Sequence, residues 1–313
     1  MVQEQKMKVL VTGVSGFIGR NFIEFAPKDL EIIGIYNKSG DIEKFVKDRK
    51  LKNVRLYKCD LTDKVQVQRL FNKIGKNFDN CIYLAANVNV PLSINDPVED
   101  LKITCQGLIN FLQSCGKIDK FSLMSSATVY EGNHGIVTTS TKLNPLVPYS
   151  ISKLMAEHYV RFFQSSGKIG SYIILRFGGA YGKYSEKKFV SQLVRQSAIQ
   201  NKEIIEIYGD GTNIVNLMYV KDTVKALLVC LNSKKTNMIC NFGQDNMTIT
   251  QLINKIAKIF SKNVEIRYTP RRKDQKYIEF SLDVDFNRIF DFKPGYSFEE
   301  GIREFAESMK NEE

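Results

Sequence analysis

Tyr149 and Lys153 stand four residues apart in the run PYSISKLMAE, a spacing that puts both side chains on one face of a helix. A phenol, with a pKa of about 10, is a poor base at neutral pH, and a neighbouring ammonium or another positive charge favours the phenolate. The pair could therefore exchange a proton with an alcohol or a ketone. Ser126, where the run FSLMSS meets ATVY, offers a hydroxyl that could hold the reacting oxygen. Tyr-x-x-x-Lys by itself is common on helix surfaces, so its meaning rests on its company. That company is KVLVTGVSGFIGR, where Gly13, Gly16 and Gly19 follow a short apolar strand and Phe17 and Ile18 open a helical pattern. Bare backbone at such a turn lets a pyrophosphate approach, and the unpaired N–H groups and dipole of a helix start favour an anion. The turn, with Phe17 and Ile18, is expected to hold a dinucleotide.

The elements that must position these groups alternate. Strands are expected over 8–12, 31–36, 54–59, 81–86 and 120–125, with helices from Phe17 and over 41–49, 65–74 and 98–115 between them. Such alternation gives a right-handed, doubly wound parallel sheet, an α/β fold whose ligands lie beyond the carboxyl ends of the strands. After a further strand over 171–176 the chain leaves the sheet from Gly178 to Asn213 and returns as a helix over 219–231. Helices over 249–260 and 298–309 complete the second half. No sharp linker or repeat separates the halves. The expected division is a dinucleotide-binding domain of residues 1–177 plus about 214–245, interleaved with a smaller C-terminal α/β lobe of about 178–213 plus 246–313. A cleft between them would take the substrate.

The strand over 31–36 ends in Tyr36, Asn37 and Lys38. A carboxylate there would accept bonds from a ribose 2'-hydroxyl and repel a 2'-phosphate. None is present, and an amide beside an ammonium can take the phosphate, which favours NADP over NAD, although Lys38 could equally be a solvated loop residue. Asp60, ending the next strand, could bind the adenine amine, or it or Thr62 could cap the helix over 65–74. The small Ala85 and Ala86 leave room beside a cofactor.

Composition narrows the class. The 313 residues are 43% apolar and 25% charged, enough to bury a sizeable core, and no apolar run reaches the length of a membrane span. The N-terminal MVQEQKMK lacks a secretory hydrophobic segment, so a cytoplasmic protein without membrane association is expected. Six cysteines lie scattered without a CxxC pair and with only two histidines, which points to buried free thiols and to neither a metal site nor disulfides. The net charge of +11 is spread along the chain. Its densest run, Arg271 to Lys273, is short and not interleaved with aromatics, which argues against a nucleic-acid partner.

The segments VTGVSGFIG, YLAA, SSATVY, PYSISKLMAE, LRFGGAYG, YVKDTVKAL, NFGQDNMTI and KPGYSFEEGIRE occur in an order that resembles the extended short-chain dehydrogenase/reductase family. These are the Rossmann-type, NAD(P)-dependent epimerases, dehydratases and reductases of nucleotide sugars. The resemblance implies that Ser126, Tyr149 and Lys153 form the catalytic group. It places Gly13, Gly16 and Gly19 at the pyrophosphate and Asp60 and Leu61 beside adenine. Tyr149 would exchange a proton with a sugar hydroxyl or ketone while hydride passes between that carbon and the nicotinamide, and Lys153 would contact the nicotinamide ribose. Ser126, Thr128 and Arg271, the last in RRKD where relatives commonly read RxGD, would face the nucleotide-diphosphate sugar. A homodimer is also implied, packed through the helix of Tyr149 and the preceding one, with Leu154, Tyr159, Phe162, Phe163, Leu108, Phe111 and Leu112 as candidate apolar faces.

The sequence departs from the family pattern at several points. Val215 takes the place of an arginine, Thr104 and Gly179 those of two asparagines. Ala127 and Thr128 follow Ser126 where the 4,6-dehydratases carry an Asp-Glu pair, and neither can supply that acid and base, which argues against dehydration. Two reactions at sugar C4 remain, epimerisation with a retained cofactor and ketone reduction with an exchanging one, both serving glycan precursor synthesis. A non-catalytic cofactor-binding protein on the same fold is the alternative of another class.

Overall fold

The computed structural model describes residues 7–38, 40–185, 188–271 and 277–310. Val9, Leu10 and Val11 carry no polar side chain, so the strand they form must be covered on both faces. It becomes β1 (Lys8–Thr12), the start of a strictly alternating first half: α1 (Phe17–Phe25), β2 (Glu31–Tyr36), α2 (Asp41–Asp48), β3 (Val54–Lys58), α3 (Lys64–Ile74) and β4 (Phe78–Tyr83). Then come α4 (Val90–Asn95), α5 (Pro97–Leu101), a π turn (Lys102–Gln106), α6 (Gly107–Ser114) and β5 (Ile118–Ser126). A 3-10 turn (Ala127–Tyr130) leads to β6 (His134–Val137), α7 (Pro148–Ser165) and β7 (Ile169–Phe177). The remainder runs β8 (Ala180–Tyr181), α8 (Phe189–Val194), a second π turn (Arg195–Ile199), β9 (Ile204–Tyr208), β10 (Ile214–Tyr219) and α9 (Val220–Asn232). It ends with β11 (Met238–Phe242), β12 (Asp245–Thr248), α10 (Ile249–Ile259), β13 (Glu265–Thr269), β14 (Glu279–Leu282), α11 (Phe286–Phe290) and α12 (Phe298–Lys310).

Seven strands form one parallel sheet in the order β11-β7-β5-β4-β1-β2-β3, the Rossmann-like arrangement expected. The chain moves outward from β1 through β2 to β3, then resumes on the other side at β4. That reversal beside β1 opens a crevice at the carboxyl ends. Smaller sheets lie outside it: β8, β10 and β12; β9 with β13; and β6 with β14. β11 was not foreseen from the sequence.

Two local features differ from expectation for traceable reasons. The fourth strand stops at Tyr83 and not at Ala86, because the Leu84 and Ala85 amides turn to donate to Thr12 Oγ1, each at 3.1 Å. The helix expected over 98–115 is present over 97–114, with α5 and α6 joined continuously by the π turn. Neither Asp60 nor Thr62 caps α3. Asp63 does, accepting from the Val65 and Gln66 amides at 2.9 and 3.1 Å, while Asp60 Oδ1 accepts from Thr62 N and Oγ1.

Apolar cores cover both faces of the sheet. Phe22 and Ile23 of α1, Ile42 of α2 and Val224 and Leu227 of α9 fill one. Val67 and Phe71 of α3, Leu108 and Phe111 of α6 and Val160 and Phe163 of α7 fill the other, with Phe111 edge-on to Phe71 and Tyr83 at 5.2 and 5.3 Å. Leu108, Phe111, Leu112 and Phe163, read from sequence as candidate faces for a second copy, are therefore core residues, and Leu154 and Tyr159 pack against the interior. Phe162 alone of that set is exposed, at 60%. A third cluster joins α8, β9, β10, α10 and α12, and a fourth packs Val129 and Tyr130 against Phe280 and Leu282 of β14. All six thiols are buried and unpaired. Among the described residues no helix is long and apolar enough to cross a membrane.

Candidate active site

The glycine turn is built from close backbone contacts. Gly13 has φ +71°, and a Cβ there would lie 3.0 Å from the Ala85 amide nitrogen; one on Gly19 would meet the Gly13 carbonyl oxygen at 2.3 Å. Gly16, at the N-cap of α1, brings no side-chain acceptor, so the first amides of the helix are left for an anion. The turn forms one end of a crevice of about 670 Å³. Gly13, Gly16, Phe17, Ile18, Gly19, Asn37, Lys38, Asp60, Leu61, Ala85, Ala86, Ser126, Tyr149 and Lys153, all singled out in the sequence, line it together.

At the β2–β3 end, Tyr36 hydrogen-bonds to Glu43, which with burial raises the phenol to about 12. Burial pushes the Asp60 carboxyl up, but bonds from the Thr62 amide and hydroxyl, a bond from Asn37 and the charge of Lys38 outweigh it and hold it below its ordinary value. Asn37 and Lys38 thus face Asp60 across the mouth of the crevice.

At the other end β5 carries Ser126 to its carboxyl terminus and α7 presents Tyr149 in its first turn, behind Pro148, with Lys153 one turn later. Lys153 is buried, its Nζ donates to the Met124 carbonyl at 3.0 Å, and it stands 5.9 Å from the centre of the Tyr149 ring. Burial lowers Lys153 to about 8, opposed first by the charge of Asp100. Burial raises Tyr149, a hydrogen bond to Ser126 pulls it back down, and Asp100 raises it further. Burial therefore dominates, and the bond to Ser126, not the expected effect of the ammonium, is what pulls the phenol down.

Two residues named from the sequence do not join this lining. Thr128 is buried behind the serine and donates from Oγ1 to Ser126 Oγ at 3.0 Å. Arg271 is exposed, with its guanidinium over the Tyr277 ring at 3.4 Å; Arg272, Lys273 and Asp274 of the same motif lie outside the described residues. The sequence reading missed others. Gly178, Gly179, Ala180 and Lys188 enter the crevice from the chain after β7. Beneath it, Arg176 pairs with Glu157 at 2.8 Å, and the Ser125 hydroxyl donates to Glu157 at 2.6 Å, locking α7 onto β5 and β7. Glu157 continues the four-residue step of Tyr149 and Lys153, a signal that was present in PYSISKLMAE.

Comparison with known proteins agrees with this geometry. The chain is 30% identical to a putative UDP-glucose 4-epimerase of Methanocaldococcus jannaschii, over 97% of this chain and 98% of the relative. Among solved structures, UDP-glucose 4-epimerase of Thermotoga maritima with UDP-glucose superposes with a TM-score of 0.85 at 26% identity, covering 98% and 99% of the two chains. UDP-glucose 4-epimerase of Thermus thermophilus in complex with NAD gives 0.81 at 25% identity, covering 97% and 99%. The profile of the NAD dependent epimerase/dehydratase family matches residues 9–243, and the chain belongs to that family.

Proposed function

We propose that the chain is a nucleotide-sugar 4-epimerase that works by hydride transfer at sugar C4. The observation that carries this reading is the convergence of Ser126, Tyr149 and Lys153 at one end of a crevice whose other end is the glycine turn. The crevice fits a nicotinamide dinucleotide: side-chain-free backbone and uncapped amides for the diphosphate, Asp60 and Leu61 for adenine, and a phenol and ammonium for the reacting end. A nicotinamide held there would supply the hydride acceptor and donor that inversion at C4 requires.

In this reading Tyr149 removes the proton of the C4 hydroxyl as hydride departs and gives it back when the ketone is reduced. Ser126, bonded to that phenol, holds the sugar oxygen, and Thr128 acts through Ser126. Lys153 keeps a positive charge beneath the pair and reaches the nicotinamide ribose. Arg271 is the proposed ligand of the sugar's diphosphate from the smaller lobe, residues 178–213 plus 246–313. Dehydration is disfavoured by Ala127 and Thr128, which offer no acid or base beside Ser126. NAD accompanies the Thermus relative; here the missing carboxylate at Tyr36–Lys38 supports acceptance of NADP as well. Exposed Val98 and Leu101 of α5 with Ile151 and Phe162 of α7 support a homodimer through that face, in place of the buried residues first considered.

Ketone reduction is the second reading, favoured by the same Asn37 and Lys38. Purified enzyme incubated in one arm with UDP-glucose and NAD, and in the other with a UDP-4-keto-sugar and C4-deuterated NADH or NADPH, separates the two. Epimerisation without net cofactor consumption supports the proposal; stoichiometric deuterium transfer from cofactor to a keto-sugar, with no interconversion of the C4 epimers, overturns it.

A further inference from the structure

Two buried carboxylates act on Lys153, and only one has its charge matched. Glu157 accepts from Arg176 Nη2 at 2.8 Å, from Arg176 Nε at 3.1 and 3.3 Å and from Ser125 Oγ at 2.6 Å. Asp100, on α5, is as fully enclosed, yet it accepts a single bond, from Asn87 Nδ2 at 2.6 Å. Its second oxygen, Oδ2, is buried and makes no hydrogen bond. None of the ion pairs among the described residues includes it. A carboxylate held in this way is costly unless a positive charge lies close by.

The ammonium that bears on it is that of Lys153, on α7, against which α5 packs. α5 packs against α7 and the π turn, and the titratable groups that face Asp100 from them are Lys153 and Tyr149 of α7 and Cys105 of the π turn. Glu157 also acts on Lys153, but its charge is answered by Arg176. Asn87, the residue that fixes Asp100, directly follows Ala85 and Ala86 of the crevice wall. Its amide donates to Thr104 Oγ1 at 3.2 Å, and its side chain brackets Asn89. Asn87 thus ties the crevice wall to a carboxylate whose helix packs on α7.

We propose that Asp100 is a positioning residue for proton transfer: its carboxylate, oriented by Asn87, keeps the Lys153 ammonium charged and in register beneath Tyr149. The inference rests on the role given above to Tyr149 and Lys153. Removing the negative charge lets Lys153 lose its proton at lower pH, and it also eases ionisation of the phenol. Both limbs of the pH–kcat profile then move in the same direction.

The test is Asp100→Asn, which keeps the shape and an oxygen for Asn87, assayed for C4 epimerisation of UDP-glucose across pH. Both limbs are expected to shift toward acid by about one unit. Titration of Lys153 in 13C-lysine-labelled protein, assigned with Lys153→Arg, should show the same direction without any turnover. Asp100→Ser, which leaves space for water, must reproduce the shift should the asparagine variant fail to fold. A loss of activity by one factor at every pH, or an unmoved Lys153 titration, overturns the proposal and leaves Asp100 a packing residue. Tyr149→Phe separates the levels: if it stays active, the underlying reading fails; if it is dead while the Asp100 variants keep the wild-type profile, only the inference about Asp100 fails.

Discussion

The two ends of the crevice are made of different material. At the β1–α1 end the contacts are main chain: Gly13, Gly16, Gly19 and the first amides of a helix. At the β5–α7 end they are side chains drawn from distant segments, Ser126, Tyr149 and Lys153, with Asp100 and Glu157 behind them. Main chain gives shape and partial charge with almost no freedom to be retuned. Side chains give a proton acceptor whose strength depends on which neighbours are charged. In the proposed function the first end would bind and the second would discriminate between reactions.

The contrast can be broken at either end, and the larger effect is expected where side chains act. Tyr149→Phe should lower kcat by roughly 10²–10⁴-fold while dinucleotide binding, followed by protein fluorescence or calorimetry, is retained. Full retention of turnover would remove the phenol from the chemistry. Gly19→Ala attacks the main-chain end, where the added methyl meets the Gly13 carbonyl oxygen at 2.3 Å. Opening the turn is expected to cost roughly 1–3 kcal/mol, or about five- to 150-fold in dinucleotide Kd. An unchanged Kd would show that the turn does not meet the diphosphate. Arg271→Ala is the mildest: an exposed guanidinium on a substrate diphosphate is worth roughly 1 kcal/mol, about a fivefold rise in KM with kcat unchanged. A KM that stays put would leave Arg271 as a surface residue stacked on Tyr277.

The same contrast explains what could be read from the sequence. The glycine turn was legible because main-chain sites are written as spacing, and β1 and β2 because their apolar runs are continuous. Tyr149 and Lys153 were legible because one helix carries both. Asp100 was not, because its importance arises only when α5 is packed on α7, and DPVED reads as an ordinary helix start. Asp63 could be mistaken for its neighbours because DLTD offers three capping side chains within four residues, and only the backbone path chooses among them. The apolar faces of α6 and α7 misled for a related reason. Leu108, Phe111 and Phe163 have the same periodicity whether they meet the sheet or another subunit, and it is the sheet that buries them.

Burial of every cysteine has a practical reach beyond folding. Burial pushes the thiols up, Cys59 and Cys105 to about 11 and Cys230 to about 12, and even Cys59, which lines the crevice, is raised further by Asp60 and Asp63. Thiolate reagents and peroxide therefore find little to attack in the native protein. A single cysteine engineered at the exposed Phe162 would be the sole reactive handle, so a dye or spin label placed there could report subunit contact without first stripping the natural sulfurs away.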